Sequence, residues 1–173
     1  MALTGLTKIQ KIGINTATIP TLGGSENVGV VTATNFIGDG SGLTGTAPSR
    51  VIVSGATTSI VNSGIGNTDI TGFKSYMLMR VGLSTAGWFR LYTDSASRAN
   101  DTNRSVGEDP LPGSGVIAEV VATGLSTNHI ISPFVPGGNL DDPASTTMYV
   151  AITNTSGTTQ SITANLTILQ LED

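Results

Sequence analysis

The chain has no cysteine and only one histidine and one tryptophan in 173 residues, and aromatic residues make up 5% of it. Without cysteine there is no disulfide framework, no thiolate metal site and no thiol nucleophile, so the fold rests on its core, alone or with partner chains. A Ser-His nucleophile pair would depend on His129 alone. That residue follows the turn-forming stretch Gly124 to Asn128 and reads as a loop or strand-end histidine. Charge is sparse as well: charged residues are 12% of the chain, with a formal net charge of −4. The eight basic residues are scattered, which argues against a nucleic-acid partner. Long hydrophobic runs are also missing. The apolar residues of Met1 to Leu22 are interrupted by Thr, Gln, Asn and Gly, so neither a membrane span nor a secretory segment is predicted, and the expectation is a soluble product made in the cytoplasm.

In place of these features stand Gly, Thr, Ser, Val and Ile. β-branched side chains lose rotamer freedom on a helix and pack well on a pleated surface, so the composition predicts an all-β fold. The 22 glycines follow no Gly-X-Y period and mark turns and close approaches.

Texture changes near Thr46, Ala47, Pro48 and Ser49. Residues 1–48 hold short apolar bursts between glycines, none long enough to enclose a core. This glycine-rich, extended or β segment is predicted to hide its apolar residues on another surface or on copies of itself. Ile9, Ile12, Ile14, Val28, Val30, Phe36 and Leu43 are its candidate docking and oligomer-interface residues. Close backbone approach at glycine about a symmetry axis points to a homotrimer.

Residues 49–173 carry cleaner strand signals. Ile162, Ala164, Leu166 and Ile168 alternate with polar residues, as do Met148, Val150 and Ile152, and a turn at Asn154 to Gly157 predicts that these two strands form a hairpin. Tyr76 to Leu83 and Trp88 to Thr93 flank another short loop and predict a second hairpin. Arg50 to Ser54, Val116 to Ala122 and Ile130 to Val135 add three strands, with a weaker one at Thr58 to Asn62. Seven or eight short strands of this kind predict an antiparallel β-sandwich of the jelly-roll sort, with Asp94 to Gly115 as an overhanging loop.

Few motifs carry chemistry. Gly40, Gly42 and Gly45 satisfy G-x-G-x-x-G, but Pro48 follows and no helix begins there, so the phosphate cradle lacks its helix N-terminus. Asp39 with Ser41, and Asp101 with Thr102 and Asn103, fall short of a cation ligand set. No metal and no cofactor is predicted. The adjacent carboxylates Glu108–Asp109 and Asp141–Asp142 both precede proline and read as turn chemistry. Asp94, Arg98, Asp101, Arg104 and Glu108 alternate in sign and are read as exposed ion pairs inside the loop, each worth under about 1 kcal/mol. Trp88, Tyr92, Arg98, Asp101 and Arg104 are the candidate surface-recognition set; Trp88, Tyr92 and Tyr149 could line a platform for host glycans, but in so aromatic-poor a chain core or interface packing is the favoured use of these rings.

The run Val30-Val31-Thr32-Ala33-Thr34-Asn35-Phe36-Ile37-Gly38-Asp39-Gly40-Ser41-Gly42-Leu43-Thr44-Gly45 resembles a segment that recurs in virion structural proteins of tailed phages, notably cyanophages. Trp88-Phe89-Arg90-Leu91-Tyr92, then Arg98, Asp101 and Arg104, then Asp109-Pro110 and Pro112 to Val120, then Tyr149 to Asn154 and the ending Leu169-Gln170-Leu171-Glu172, resemble a C-terminal domain of phage particle proteins. The resemblance implies a non-enzymatic virion component, commonly trimeric, with no catalytic residues to carry over. Its partner would be the major capsid protein or another phage structural protein. The glycine-rich segment occurs once and the chain is short, which favours a capsid decoration or head-fibre protein. A short tail fibre or baseplate adaptor is the runner-up.

Overall fold

The computed structural model describes residues 48–172. The expected docking residues Ile9, Ile12, Ile14, Val28, Val30, Phe36 and Leu43 lie outside them, as do Asp39 and the glycines at 40, 42 and 45. The described chain runs through β1 (Arg50–Ala56), β2 (Ile65–Thr71), β3 (Ser75–Leu83), β4 (Gly87–Tyr92), α1 (Ser95–Asn100), β5 (Val116–Ala122), β6 (Thr127–Gly138), β7 (Thr147–Asn154) and β8 (Thr163–Glu172).

These strands form two four-stranded sheets, ordered β1-β8-β3-β6 and β2-β7-β4-β5, with every neighbouring pair antiparallel. That is the jelly-roll order, and the expected all-β sandwich is what the chain builds. Alternation works as the sequence predicts. Phe89 and Leu91, Met148, Val150 and Ile152, and Leu166 and Ile168 all enter one core between the sheets.

Both expected hairpins are absent. β7 pairs with β2 and β4, whereas β8 pairs with β1 and β3, so the two strands belong to opposite sheets. β3 and β4 are divided in the same way. The crossing between them takes three residues: Ser84 N–H still donates to Thr163 O on the β8 side, while Ala86 O already accepts from Thr155 N–H beyond β7. Alternation decides which side chains face the core, and two strands that pack across a core satisfy it as well as two that pair edge to edge.

The sequence-based strand set also missed β2, because Gly66, Asn67 and Asp69 are poor strand formers. Gly66 allows a close approach, since a Cβ there would fall 2.7 Å from Ile60 Cδ1 and 3.0 Å from Thr57 Cβ, and the neighbours would have to shift to admit it. Thr58 to Asn62 contributes only the isolated bridge Ile60–Gln160. β6 accepts Pro133 and Pro136 because it is an edge strand. It also bulges: between the pairs Leu78–Val135 and Arg80–Ile130, the residues Ile131 to Phe134 oppose Met79 alone.

A fully buried amide locks the end of β7. Asn154 Nδ2 donates to Ile60 O at 2.8 Å and Thr158 O at 2.7 Å, and its Oδ1 accepts from Ser156 N–H at 2.9 Å. Replacing Asn154 with Ala strands these groups and is expected to cost about 2–3 kcal/mol of stability, read as a lower urea midpoint with unchanged slope. A loss below about 0.5 kcal/mol would mean that water replaces the amide without penalty.

Candidate functional site

β4 has large side chains on both faces. Phe89 and Leu91 point into the core, so Trp88, Arg90 and Tyr92 project outward, yet these three are only 2%, 0% and 1% exposed. The covering layer is the long connection after β4, which folds back over the outer face of its own sheet.

Asp94 starts that layer. Its carboxylate caps α1 by accepting from Ser97 N–H at 2.8 Å and Ser97 Oγ at 2.7 Å, and these bonds hold its pKa below the ordinary carboxylate value. The helix ends at Asp101, which stands directly over β4. Asp101 accepts from Tyr92 Oη at 2.7 Å and from Arg104 Nε and Nη2 at 2.8 and 3.0 Å. Arg90 Nη1 reaches both the Asp101 carbonyl at 3.0 Å and its carboxylate at 3.4 Å, while Nη2 donates to Thr153 Oγ1 at 3.1 Å. Arg104 bridges onward to Glu119 of β5 at 2.9 Å, and Glu119 also accepts from Trp88 Nε1 at 3.2 Å. The guanidinium groups of Arg90 and Arg104 lie 4.0 and 4.8 Å from the Trp88 ring centroid.

Two arginines and two carboxylates make this cluster formally neutral, which is the condition for burying charge at tolerable cost. Burial pushes the Asp101 carboxyl upward. The hydrogen bonds from Arg104 and Tyr92 and the charges of both arginines outweigh that and hold its pKa below the ordinary value. Burial, and then the bond to Asp101, raise the Tyr92 phenol well above its usual range. Asp101 is therefore ionised and fully engaged at neutral pH, with its oxygens turned to the arginines and the phenol.

Of the five residues expected at a recognition surface, Trp88, Tyr92, Asp101 and Arg104 come together, but beneath the loop. With Trp88 and Tyr92 buried, neither ring is presented to solvent as a stacking platform; packing is their use. Arg98 stands apart on α1, paired with Asp69 of β2 and lying 5.1 Å from the Tyr149 ring centroid. Of the expected exposed, loop-internal ion pairs, Asp101–Arg104 forms within the loop but is buried, and Arg104 also reaches Glu119 on β5, while Arg98 leaves the loop to pair with Asp69 on β2. Sequence reasoning missed Arg90, Thr153 and Glu119. The signal available was the string Trp88-Phe89-Arg90-Leu91-Tyr92, whose bulk on both faces requires cover on both.

No protein-family model matches the sequence, and no curated protein matches it.

Beside the buried cluster the loop encloses an open cleft of about 440 Å³, lined by Asn100, Asn103, Glu108, Asp109, Leu111 and Ser114 among others. Asp141 lies elsewhere, in a loop organised by the buried Asn139, whose Nδ2 donates to Asp141 Oδ2 at 3.0 Å and whose Oδ1 accepts from Ser145 N–H at 3.0 Å. Asp141 also accepts from Tyr149 Oη at 2.7 Å, a bond that raises the phenol's pKa. Turn chemistry accounts for this carboxylate. His129 lies within β6, paired with Val81. Among the described residues no group of acidic and histidine side chains is arranged to hold a metal ion.

Proposed function

We propose that this chain is a non-enzymatic structural protein of a tailed-phage particle, a capsid decoration or head-fibre protein that docks through residues 1–48 and projects its jelly-roll outward. It is made in the host cytoplasm and resides in the virion as a homotrimer on the major capsid protein or another structural protein. The observation that carries the reading is the closed cluster under the β4–β5 connection: the largest set of charged groups on the described fold is spent on holding a loop to a sheet. Such an arrangement stiffens a surface and leaves no poised acid, base or nucleophile within it. The phage assignment rests on the resemblance of residues 28–45 and about 73–173. The fold adds only analogy, since jelly-rolls serve capsids, lectins and other proteins alike. A short tail fibre or baseplate adaptor is the alternative address for the same two-part plan. The cleft beside Asn100 and Asp109 favours one further reading, a host-glycan module, which binding of residues 49–173 to a glycan array would support.

The core formed by the described residues runs from Ile60 to Ile168, all within the fragment 49–173. The fragment is expected to unfold cooperatively and to fail to join particles that lack the protein, while the full chain joins them and appears in particle images at a defined site. Equal recruitment of fragment and full chain would place docking on the sandwich instead.

A further inference from the structure

On the sheet facing away from the buried cluster, Ile52, Ile130 and Phe134 are 60%, 79% and 44% exposed. They border one groove of about 420 Å³ with Arg50, Met79 and Arg80. The break in the β3–β6 register, between Leu78–Val135 and Arg80–Ile130, falls at this groove. Apolar surface concentrated in this way marks an interaction site. Its charge has one sign. Arg50 and Arg80 have no carboxylate partner within the described residues, and Arg80 Nε is held by Thr167 Oγ1 at 3.1 Å.

The opposite side of the sandwich carries the complement. Past α1 the loop exposes Leu111 (79%) and Val106 (47%) next to Glu108 and Asp109, two carboxylates that form no ion pair with the described basic residues. The other three arginines of the described fold, Arg90, Arg98 and Arg104, are each paired with a carboxylate, which leaves Arg50 and Arg80 as the guanidinium groups without one.

We propose that the Val106–Leu111 loop of one copy seats in the Arg50–Ile130–Phe134 groove of the next. Leu111 would fill the apolar floor, with Glu108 and Asp109 facing Arg50 and Arg80. Because the two surfaces lie on opposite outer faces of the sandwich, one copy cannot satisfy itself and the contact is head to tail; a rotation of a third of a turn between successive copies closes it into a ring of three, whereas without that rotation it would run on as a filament. Groove-to-groove pairing of two copies would instead bring four guanidinium groups together without a carboxylate, an arrangement that like-charge repulsion disfavours. The inference rests on the function proposed above only for the number of copies, three.

The natural chain has no cysteine, so engineered thiols report this contact alone. Full-length protein carrying Leu111→Cys and Ile130→Cys together is expected to cross-link under mild oxidation into covalent dimers and trimers. Each single variant should stay uncross-linked, and a mixture of the two single variants should give dimers only. Both positions are exposed, and Trp88 fluorescence checks that the variants are folded. Arg50→Glu is expected to lower the cross-linked fraction of the double variant at least tenfold. Efficient cross-linking of Ile130→Cys with itself would overturn the head-to-tail contact in favour of a two-fold one. No cross-linking while light scattering still gives a trimer would overturn this contact and leave the trimer reading standing, with an acidic surface of another protein as the occupant of the groove. A monomer at micromolar concentration would overturn both.

Discussion

Replacing Arg90 with Met is expected to destabilise the described domain by about 3–5 kcal/mol, the range for removing one partner of a buried ion pair. The side chain is fully buried and ties three elements together: its own strand β4, Thr153 on β7 and Asp101 at the end of α1. Its loss leaves the cluster with one excess negative charge, leaves the Asp101 carbonyl only the long bond from Arg104 N–H at 3.5 Å, takes the donor from Thr153 Oγ1, and removes the guanidinium lying on Trp88. A domain of ordinary size is stable by only about 5–15 kcal/mol, so the loss would be visible at once in urea unfolding. Arg90→Lys should recover little, because a single ammonium cannot reproduce a planar fork that reaches Asp101 and Thr153 together. Arg98→Met is the comparison. Its partner Asp69 is largely exposed, and a pair of that kind contributes about 0–1 kcal/mol. Similar losses for the two variants would mean that the buried cluster has no special weight.

How much of this was legible beforehand differs by level. The period-two alternation in Met148–Ile152 and Ile162–Ile168 reports burial on one face, and that part of the architecture followed from the residues. Pairing did not, because alternation is indifferent to whether the neighbour lies beside the strand or across the core. The switch of sheets within Ser84, Thr85 and Ala86 has no composition that distinguishes it from a hairpin turn. β2 failed for another reason. Its Gly66, Asn67 and Asp69 are tolerated because an edge strand needs little more than backbone bonds to β7.

The cluster was half legible. The alternating signs from Asp94 to Glu108 are visible in sequence, and they do mark residues that pair. What single-chain patterning lacks is the depth at which they pair. An arginine inside an apolar strand reads as an outward, solvated side chain unless the covering element is known, and the cover here comes from residues 94–115 folding back in three dimensions. The same blindness turned Trp88 and Tyr92 into candidates for a sugar platform when they are the bed on which the loop rests.

Acid should undo this arrangement locally before it unfolds the core. The Asp101 carboxyl has a folded-state pKa below the ordinary carboxylate value: burial raises it, but the arginines and Tyr92 outweigh that effect. A depressed carboxylate contributes stability that is fully present above the unfolded-state value and disappears as pH falls through the folded one. Asp94, held down by Ser97 at the start of α1, titrates in the same direction, so the cap and the end of the helix weaken over the same window below about pH 4. Protonating Asp101 leaves Arg90 and Arg104 buried beside one another with Glu119 as the remaining counter-charge. Trp88 is the only tryptophan and lies against both guanidinium groups, which makes its fluorescence a direct monitor of the cluster. The expected result is a fluorescence transition below about pH 4 that precedes loss of the β-sheet circular dichroism signal. Asp101→Asn should remove much of that transition's pH dependence while costing about 3–5 kcal/mol at neutral pH, since both arginines then lose their shared anion. A variant as stable as the natural protein at neutral pH, or one with an unchanged acid transition, would show that the loop is held by its packing on Trp88 and Tyr92 and that the charges are incidental.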